Sequence, residues 1–367
     1  MMGFSMHQVL GIQRGLTPGR ICAVLFLLLT VVGCVISPRR TLGGGPTPTP
    51  TPTGSPTPTP PAGAGKLYVS NGGANSILRF DDALTASGNI VPAATISGAA
   101  TTLNGPVFIT LDAAADRLYV ANNADLSILI FDNISTKNGN VAPERTIAGG
   151  LTTLVSPTDV SLDKGRNLLY VADDIDIHVF ASASTATGNV APARTFTLPV
   201  AVSAIFVDSA NDRLYAAQQT ANAILIFDSA STLNGTVTAN RTIQGAATHL
   251  ANPGGIQIDG SGRLVVSNAA PPSITIYNNA ATANGNIAPA AEIVGSNTGL
   301  SVPDQIVVNT SGTGSLYNAD PGAARVAVFS NLNAANGNIG PTRAIVGGST
   351  GLTVSGQPVG VALDVTR

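Results

Sequence analysis

The sequence predicts an all-β chain built as a ring of repeated four-stranded sheets. Three observations carry that expectation: a charge-poor and turn-rich composition, a recurring strand motif, and chain ends that complement each other. Of 367 residues only 10% are charged, against roughly 25% in an ordinary soluble protein, while 40 are Gly and 24 are Pro. Solubility therefore rests on uncharged Thr, Asn and Ser, the composition of short strands joined by many turns rather than of a solvated helical bundle. The formal net charge is −2, and setting aside the two cations Arg14 and Arg20 of the first 33 residues makes it −4. That balance argues against phosphate-backbone binding, so no nucleic-acid partner is expected.

Arg14 and Arg20 precede an apolar run from Ile21 to Val32, which is followed by Gly33 and Cys34. This is the charged, apolar, small-residue order of an export signal, and the run is too short to cross a hydrocarbon core that needs about 20 residues. Val31, Val32, Gly33 and Cys34 resemble the lipobox of bacterial lipoproteins. The resemblance implies cleavage before Cys34, which would carry acyl chains and hold the chain to a membrane with two or more of them. An uncleaved short anchor or an ordinary signal peptide is the other reading. Cys22 lies in the segment to be removed, so disulfide scaffolds and cysteine-based catalysis are excluded from the mature domain. From Gly43 to Gly65 alternating proline removes the amide donors that a helix or ladder needs, which makes the stretch an extended spacer. Three regions follow: a signal peptide at 1–33, the lipidated cysteine and Pro/Thr-rich linker at 34–65, and a repeat domain at 66–367.

The repeat domain is organised around a strand seen as Leu67-Tyr68-Val69, Leu118-Tyr119-Val120, Leu169-Tyr170-Val171, Leu214-Tyr215-Ala216, Leu264-Val265-Val266 and Leu316-Tyr317-Asn318, at spacings of 51, 51, 45, 50 and 52. A second strand ending in an aromatic follows each copy, as from Ile77 to Phe80 and from Ile128 to Phe131. Next come Gly-Asn pairs, such as Gly88-Asn89 and Gly139-Asn140, which supply the positive dihedrals of a reversal. A third strand opens on Arg in Arg145-Thr146-Ile147, and a fourth runs from Pro106 to Asp112 and its counterparts up to Pro358 to Asp364. Six such units predict a six-bladed β-propeller of four-stranded antiparallel blades, closed by the C-terminal strand entering blade one. Sealing the ring leaves no blade edge open to aggregation. The tyrosines recurring at one repeat position are expected to pack between blades.

Pro253-Gly254-Gly255-Ile256-Gln257-Ile258-Asp259 with the following Gly262-Arg263-Leu264-Val265-Val266, and Pro358-Val359-Gly360-Val361-Ala362-Leu363-Asp364, resemble the NHL repeat. The resemblance implies an NHL-type propeller of the bacterial extracytoplasmic sort, without implying one activity. Enzymatic propellers related to gluconolactonase place a Glu and several Asn or Asp around a divalent metal at the channel mouth. Here Glu144 and Glu292 are the only glutamates, and both fall at the outermost strands.

Histidine is as scarce, with His178 expected to be packed or on the surface and His249 in a loop on the face where propeller ligands bind. As a general base His249 would need a carboxylate or nucleophile within reach, which the sequence does not name. The densest polar cluster is acidic: Asp125, Asp159, Asp173, Asp174, Asp176, Asp304 and Asp320 fall on loops expected to share one face. The position four after each repeat leucine is Asn71, Asn122, Asp173, Gln218, Asn268 and Asp320. Such a ring can take a hard cation, with Ca²⁺ the candidate, or hydrogen-bond a sugar or peptide. The competing reading is that these side chains cap the turns they stand in. Asp112, Asp163, Asp208, Asp259 and Asp364 start the opposite-face turns and are read as structural. The connection Leu198-Pro199-Val200-Ala201 is shortened, which predicts a notch beside Asp173, Asp174 and Asp176.

The expectation is an exported, membrane-anchored monomer on the periplasmic or cell-surface side. Its loop face would act as a non-catalytic binding or scaffolding module for an envelope protein, peptide or glycan, with no resident cofactor. A metal-assisted hydrolase or lyase of the lactonase type is the alternative.

Overall fold

A computed structural model of the chain describes residues 65–312 and 314–367. The export signal, Cys34 and the linker through residue 64 lie outside the described residues. Six sheets form a ring, and each has four antiparallel strands running outward from the axis. Blade 1 joins Pro358–Asp364 to Lys66–Asn71, Ser76–Asp81 and Ala94–Ser97. Blade 2 is Pro106–Asp112, Arg117–Asn122, Ser127–Asp132 and Arg145–Ile147; blade 3 is Pro157–Asp163, Leu168–Asp173, Asp176–Ala181 and Arg194–Thr197. Blade 4 is Ala204–Asp208, Arg213–Gln218, Ala223–Asp228 and Arg241–Gln244; blade 5 is Pro253–Ile258, Leu264–Ala269, Pro272–Tyr277 and Ala291–Val294. Blade 6 is Ile306–Asn309, Ser315–Asp320, Arg325–Ser330 and Arg343–Val346. The Leu-Tyr-Val strand is thus second from the axis, and the proline-led strand is innermost.

Closure follows the predicted route. Lys66 stands opposite Asp364 and Val69 opposite Val361, so the last strand of the chain becomes the innermost strand of the first blade. The hydrophobic core is divided into wedges, one between each pair of adjacent blades, because every sheet is apolar on both faces. All six tyrosines of the domain are buried in these wedges. Tyr119 and Tyr317 also donate their hydroxyls to the carbonyls of Ala183 and Ala83 in the following blades, at 3.1 and 3.0 Å, which satisfies the one polar atom each ring carries inward.

The Gly-Asn pairs do more than reverse the chain. Each Gly has a positive φ, as at Gly139 (78°), and bridges to the outermost strand of the preceding blade: Gly139 to Ile96, Gly188 to Ile147, Gly285 to Ile243, Gly337 to Ile293 and Gly88 to Ile345. The neighbouring Asn then accepts an amide from the loop beyond that strand, at 2.7 Å for Asn140 with Ala100, Asn189 with Leu151 and Asn89 with Ser349. Five junctions carry this clasp. At the junction of blades 3 and 4 the shortened Leu198–Ala201 connection has no turn to receive an Asn, and Gly235–Thr236 instead pairs as a short parallel strand with Phe196–Thr197.

Candidate functional site

Loops joining second to third strands and loops joining blades come out on one face, the loop face; the other two sets of connections form the turn face. At or next to the last residue of each second strand stands one of the six polar candidates, Asn71, Asn122, Asp173, Gln218, Asn268 and Asp320, and all six are buried. Their hydrogen bonds go to the inter-blade loop beside them. Asn122 accepts the Asn104 amide at 2.7 Å, Asn268 accepts that of Ala251 at 3.0 Å, and Asn71 donates to the Gly351 carbonyl at 3.1 Å. Asp173 accepts the amides of Val155 and Ser156, and Asp320 those of Ser301 and Val302. Gln218, one methylene longer than Asn, reaches the Val200 carbonyl of the shortened loop at 2.7 Å. The six side chains therefore act as latches that hold the neighbouring inter-blade loops, rather than capping the turns they stand in.

A carboxylate latch occurs only where a base stands beside it, because a buried charge without a partner is costly. Asp173 meets His178 Nε2 at 3.0 Å, while His178 Nδ1 lies 2.8 Å from the Thr195 hydroxyl. Asp320 meets Arg325 Nε at 3.4 Å. In blades 2 and 5 the latch is a neutral Asn, bonded to the hydroxyls of Ser127 and of Ser273 and Thr275. His178 is thus a buried partner of a structural carboxylate, a role readable from the sequence because it replaces Leu78, Leu129 and Leu225 only in a blade whose latch is Asp.

The axis is closed just below the loop face. At one position of the innermost strands stand Phe108, Asp159, Ala204, Gly255, Gln305 and Gly360, three large side chains and three small residues around one ring. Phe108 crosses to pack with Ala204 and Ile256. Gln305 reaches blades 1 and 2 together, accepting the amides of Val361 at 2.8 Å and Ile109 at 3.2 Å and donating to the Ile109 carbonyl at 3.0 Å. A side chain at Gly360 would lie 2.4 Å from the Ser70 hydroxyl and 2.6 Å from the Val107 carbonyl. These groups satisfy the free amide edges that innermost strands turn toward a channel. Sequence reasoning missed this plug, although the departure of Phe108 and Gln305 from small residues at the other positions was its signal.

Asp159 belongs to the plug. Its two oxygens accept the amides of Ile205 and Val160, each at 2.7 Å. Burial raises its pKa well above the usual carboxylate range, with Asp304 adding in the same direction and the two amide bonds opposing. Below it a channel of about 460 Å³ runs to the turn face, lined by Thr110, Ser161, Phe206 and Gln257 and ending at Lys164 and Ser209. This cavity lies on the axis and not at the expected notch. There the shortened connection is drawn against the blade 3 turn: Leu198 donates to the Ile175 carbonyl at 2.9 Å and Val202 to that of Asp174 at 2.7 Å.

The remaining candidates stay apart. Asp174 and Asp125 are exposed on blades 3 and 2, the latter holding the Asn104 amide group at 2.7 Å. Asp176, opposite Asp173 in the ladder, accepts the Thr197 hydroxyl at 2.5 Å. Asp304 lies beside Gly254, where a Cβ would come within 3.1 Å of its carboxylate. His249 is half-exposed and finds the carboxylate that the sequence did not name, Glu292 of the outermost strand of blade 5, at 2.8 Å. Among the described residues no three His, Cys, Asp or Glu side chains gather closely enough to share a metal ion. On the turn face, Asp163, Asp208, Asp259 and Asp364 accept amides two to four residues onward, as turn-forming residues do.

No protein-family model matches the chain, and no curated protein does. Among solved structures it is similar to a chain of a nidogen/laminin complex, with a TM-score of 0.52 and 16% identity over 82% of this chain and 97% of that one. It is also similar to a functionally unknown protein from Desulfotomaculum acetoxidans, with a TM-score of 0.48 and 15% identity over 73% of this chain and 76% of that one. At 16% identity the likeness to the nidogen/laminin chain is one of fold, the six-bladed β-propeller.

Proposed function

We propose that the chain is an exported lipoprotein held to a membrane through acylated Cys34, whose NHL-type propeller is a non-catalytic recognition or scaffolding module. Its loop face takes an envelope protein, peptide or glycan on the periplasmic or cell-surface side. The observation that carries this reading is the closed, pinned loop face: six latches hold the loops, and Phe108, Asp159 and Gln305 fill the axis beneath them. A rigid face without a deep pocket suits a broad partner, whose binding then costs little loop ordering. The nidogen/laminin chain is an instance of this fold in a complex between two proteins, which supports the same class of role.

A photo-crosslinking residue placed at Asp174 or His249 in the full chain is expected to give discrete adducts in intact cells, while one at Ser209 on the turn face gives none. Adducts confined to Ser209, or none at any position, would overturn the reading. Cys34→Ala is expected to release the chain from the membrane fraction.

The lactonase-type alternative draws on one half-exposed pair, His249 with Glu292. Millimolar calcium is expected to leave the thermal midpoint unchanged; a saturable rise would favour a resident cation and that alternative.

A further inference from the structure

The repeat supplies its own standard for what each loop position needs structurally, and the sector around blades 2 and 3 departs from it at three positions. In the loop from blade 2 to blade 3, Leu151 stands where the equivalent loops have Ala100, Ala247, Asn297 and Ser349. Val155 stands where they have Asn104, Ala251, Ser301 and Thr353. In the blade 2 turn, Leu126 takes the left-handed position, at φ 49°, that Asn75, Asn222 and the small Ala324 occupy elsewhere. There each Asn accepts an amide from the next inter-blade loop, at 2.7 Å for both Gly105 and Asn252. Leu126 forgoes that bond, in a conformation that favours Gly and Asn. None of the three replacements is needed for the fold, and none is buried: Leu126, Leu151 and Val155 are 41%, 59% and 62% exposed.

The turn and loop that bear these side chains adjoin the blade 3 turn, whose Ile175 is 39% exposed. Asn123 donates to the Ser156 hydroxyl and the Pro157 carbonyl at 3.2 and 3.1 Å, joining the Leu126 turn to the Val155 loop. Asp173 takes the Val155 and Ser156 amides, joining that loop to the turn bearing Ile175. Exposed aliphatics on adjoining loops of this kind mark interaction surfaces. The patch is edged by Asp125, Asp174 and Asp176, and its three loops carry no Lys or Arg. Every lysine and arginine among the described residues, except the ion-paired Arg325 and Arg79 inside its strand, falls at the opposite ends of the strands or in turn-face connections. An aliphatic strip with an acidic border and no nearby cation complements a strand or helix that alternates aliphatic with basic side chains.

We infer that the arc of Leu126, Leu151, Val155 and Ile175 is a docking site for a basic, aliphatic peptide segment of a partner protein. This rests on the loop-face reading above and adds the chemistry of the occupant. The probe is a ten-residue peptide alternating leucine and lysine, titrated into the full chain, beside a serine/lysine peptide and a leucine/glutamate peptide. The leucine/lysine peptide is expected to bind at least tenfold more tightly than either control. The triple variant Leu126→Asn, Leu151→Ala, Val155→Asn, which restores repeat residues, is expected to lose that tenfold without loss of thermal stability. Val302→Ser, on the blade 6 side of the same face, leaves binding unchanged. Equal binding of the serine/lysine peptide, or unchanged binding by the triple variant, would overturn the proposal. Self-association of the chain abolished by the triple variant would overturn it too, in favour of a second copy as occupant. Crosslinks at Asp174 or His249 without leucine/lysine binding would reject this occupant and leave the loop-face reading intact; their absence would reject that reading itself.

Discussion

Asn140 of blade 2 sits in the hollow that Gly98 of blade 1 leaves by having no side chain: a Cβ on Gly98 would fall 2.6 Å from Asn140 Oδ1. Gly98 also has φ 113°, outside the range that other residues tolerate. Gly98→Ala is therefore expected to destabilise the domain by at least about 2 kcal/mol through strain and displacement of the clasp. Asn140→Ala, which strands the Ala100 amide, costs about 1 kcal/mol. Denaturant unfolding of both single variants and the double variant checks this, and the double variant is expected to cost less than the sum, since both act on one contact.

The buried His178 and Asp173 make a second test, because each explains the other. His178→Leu, the residue most other blades use there, leaves the carboxylate without its side-chain partner and is expected to cost about 3 kcal/mol. Adding Asp173→Asn to His178→Leu restores the neutral latch of blades 2 and 5 and recovers most of that loss. Thermal midpoints of the three variants at neutral pH read the outcome, and failure of the second change to rescue the first would show that the charge is not the reason for the pairing.

Gln305 holds three strands together from a single side chain. Gln305→Ala frees the Ile109 and Val361 amides and opens the plug, with an expected loss of about 2 to 4 kcal/mol. Water reaching the axis from the loop face should also speed hydrogen exchange at Ile109 and Val361 more than at strand amides farther out, which mass spectrometry of exchanged peptides resolves.

On the turn face, Asp228 accepts from Arg241 at 2.8 and 2.7 Å and from Arg213 at 2.7 Å. The hydrogen bonds from Arg241 and Arg213 hold its pKa down at about 2. Since the folded value is below the ordinary carboxylate value near 3.9, the stabilisation is present above about pH 4 and is lost as pH falls through about 2. The group is partly exposed, so the effect is expected to stay under about 1 kcal/mol. Thermal midpoints of Asp228→Asn and the unaltered chain should differ at pH 5 and converge as the pH falls through about 2.

Blade number, strand order and ring closure were legible because a repeat displays the same local pattern six times, and the pairing of Lys66 with Asp364 needed only the chain ends to be compared. The latches were legible as a polar ring but not as inward-facing. Asn122 bonds to Asn104, on a loop whose path depends on how the blades stack, and nothing in the strand itself reveals that direction. The clasps were hidden for the same reason: Asn140 and Ala100 are 40 residues apart and meet only across a blade junction. Where two irregularities compensate each other, as the missing Asn at Gly235–Thr236 does for the shortened loop at Leu198, a single-position reading sees two defects instead of one adaptation.

The meeting of the two ends has a consequence for how the molecule presents itself. Gly65 donates its amide to the Arg367 carbonyl at 3.1 Å, and the strand it leads into starts from the turn face. The seam that closes the ring therefore ends on the face opposite the aliphatic arc of blades 2 and 3.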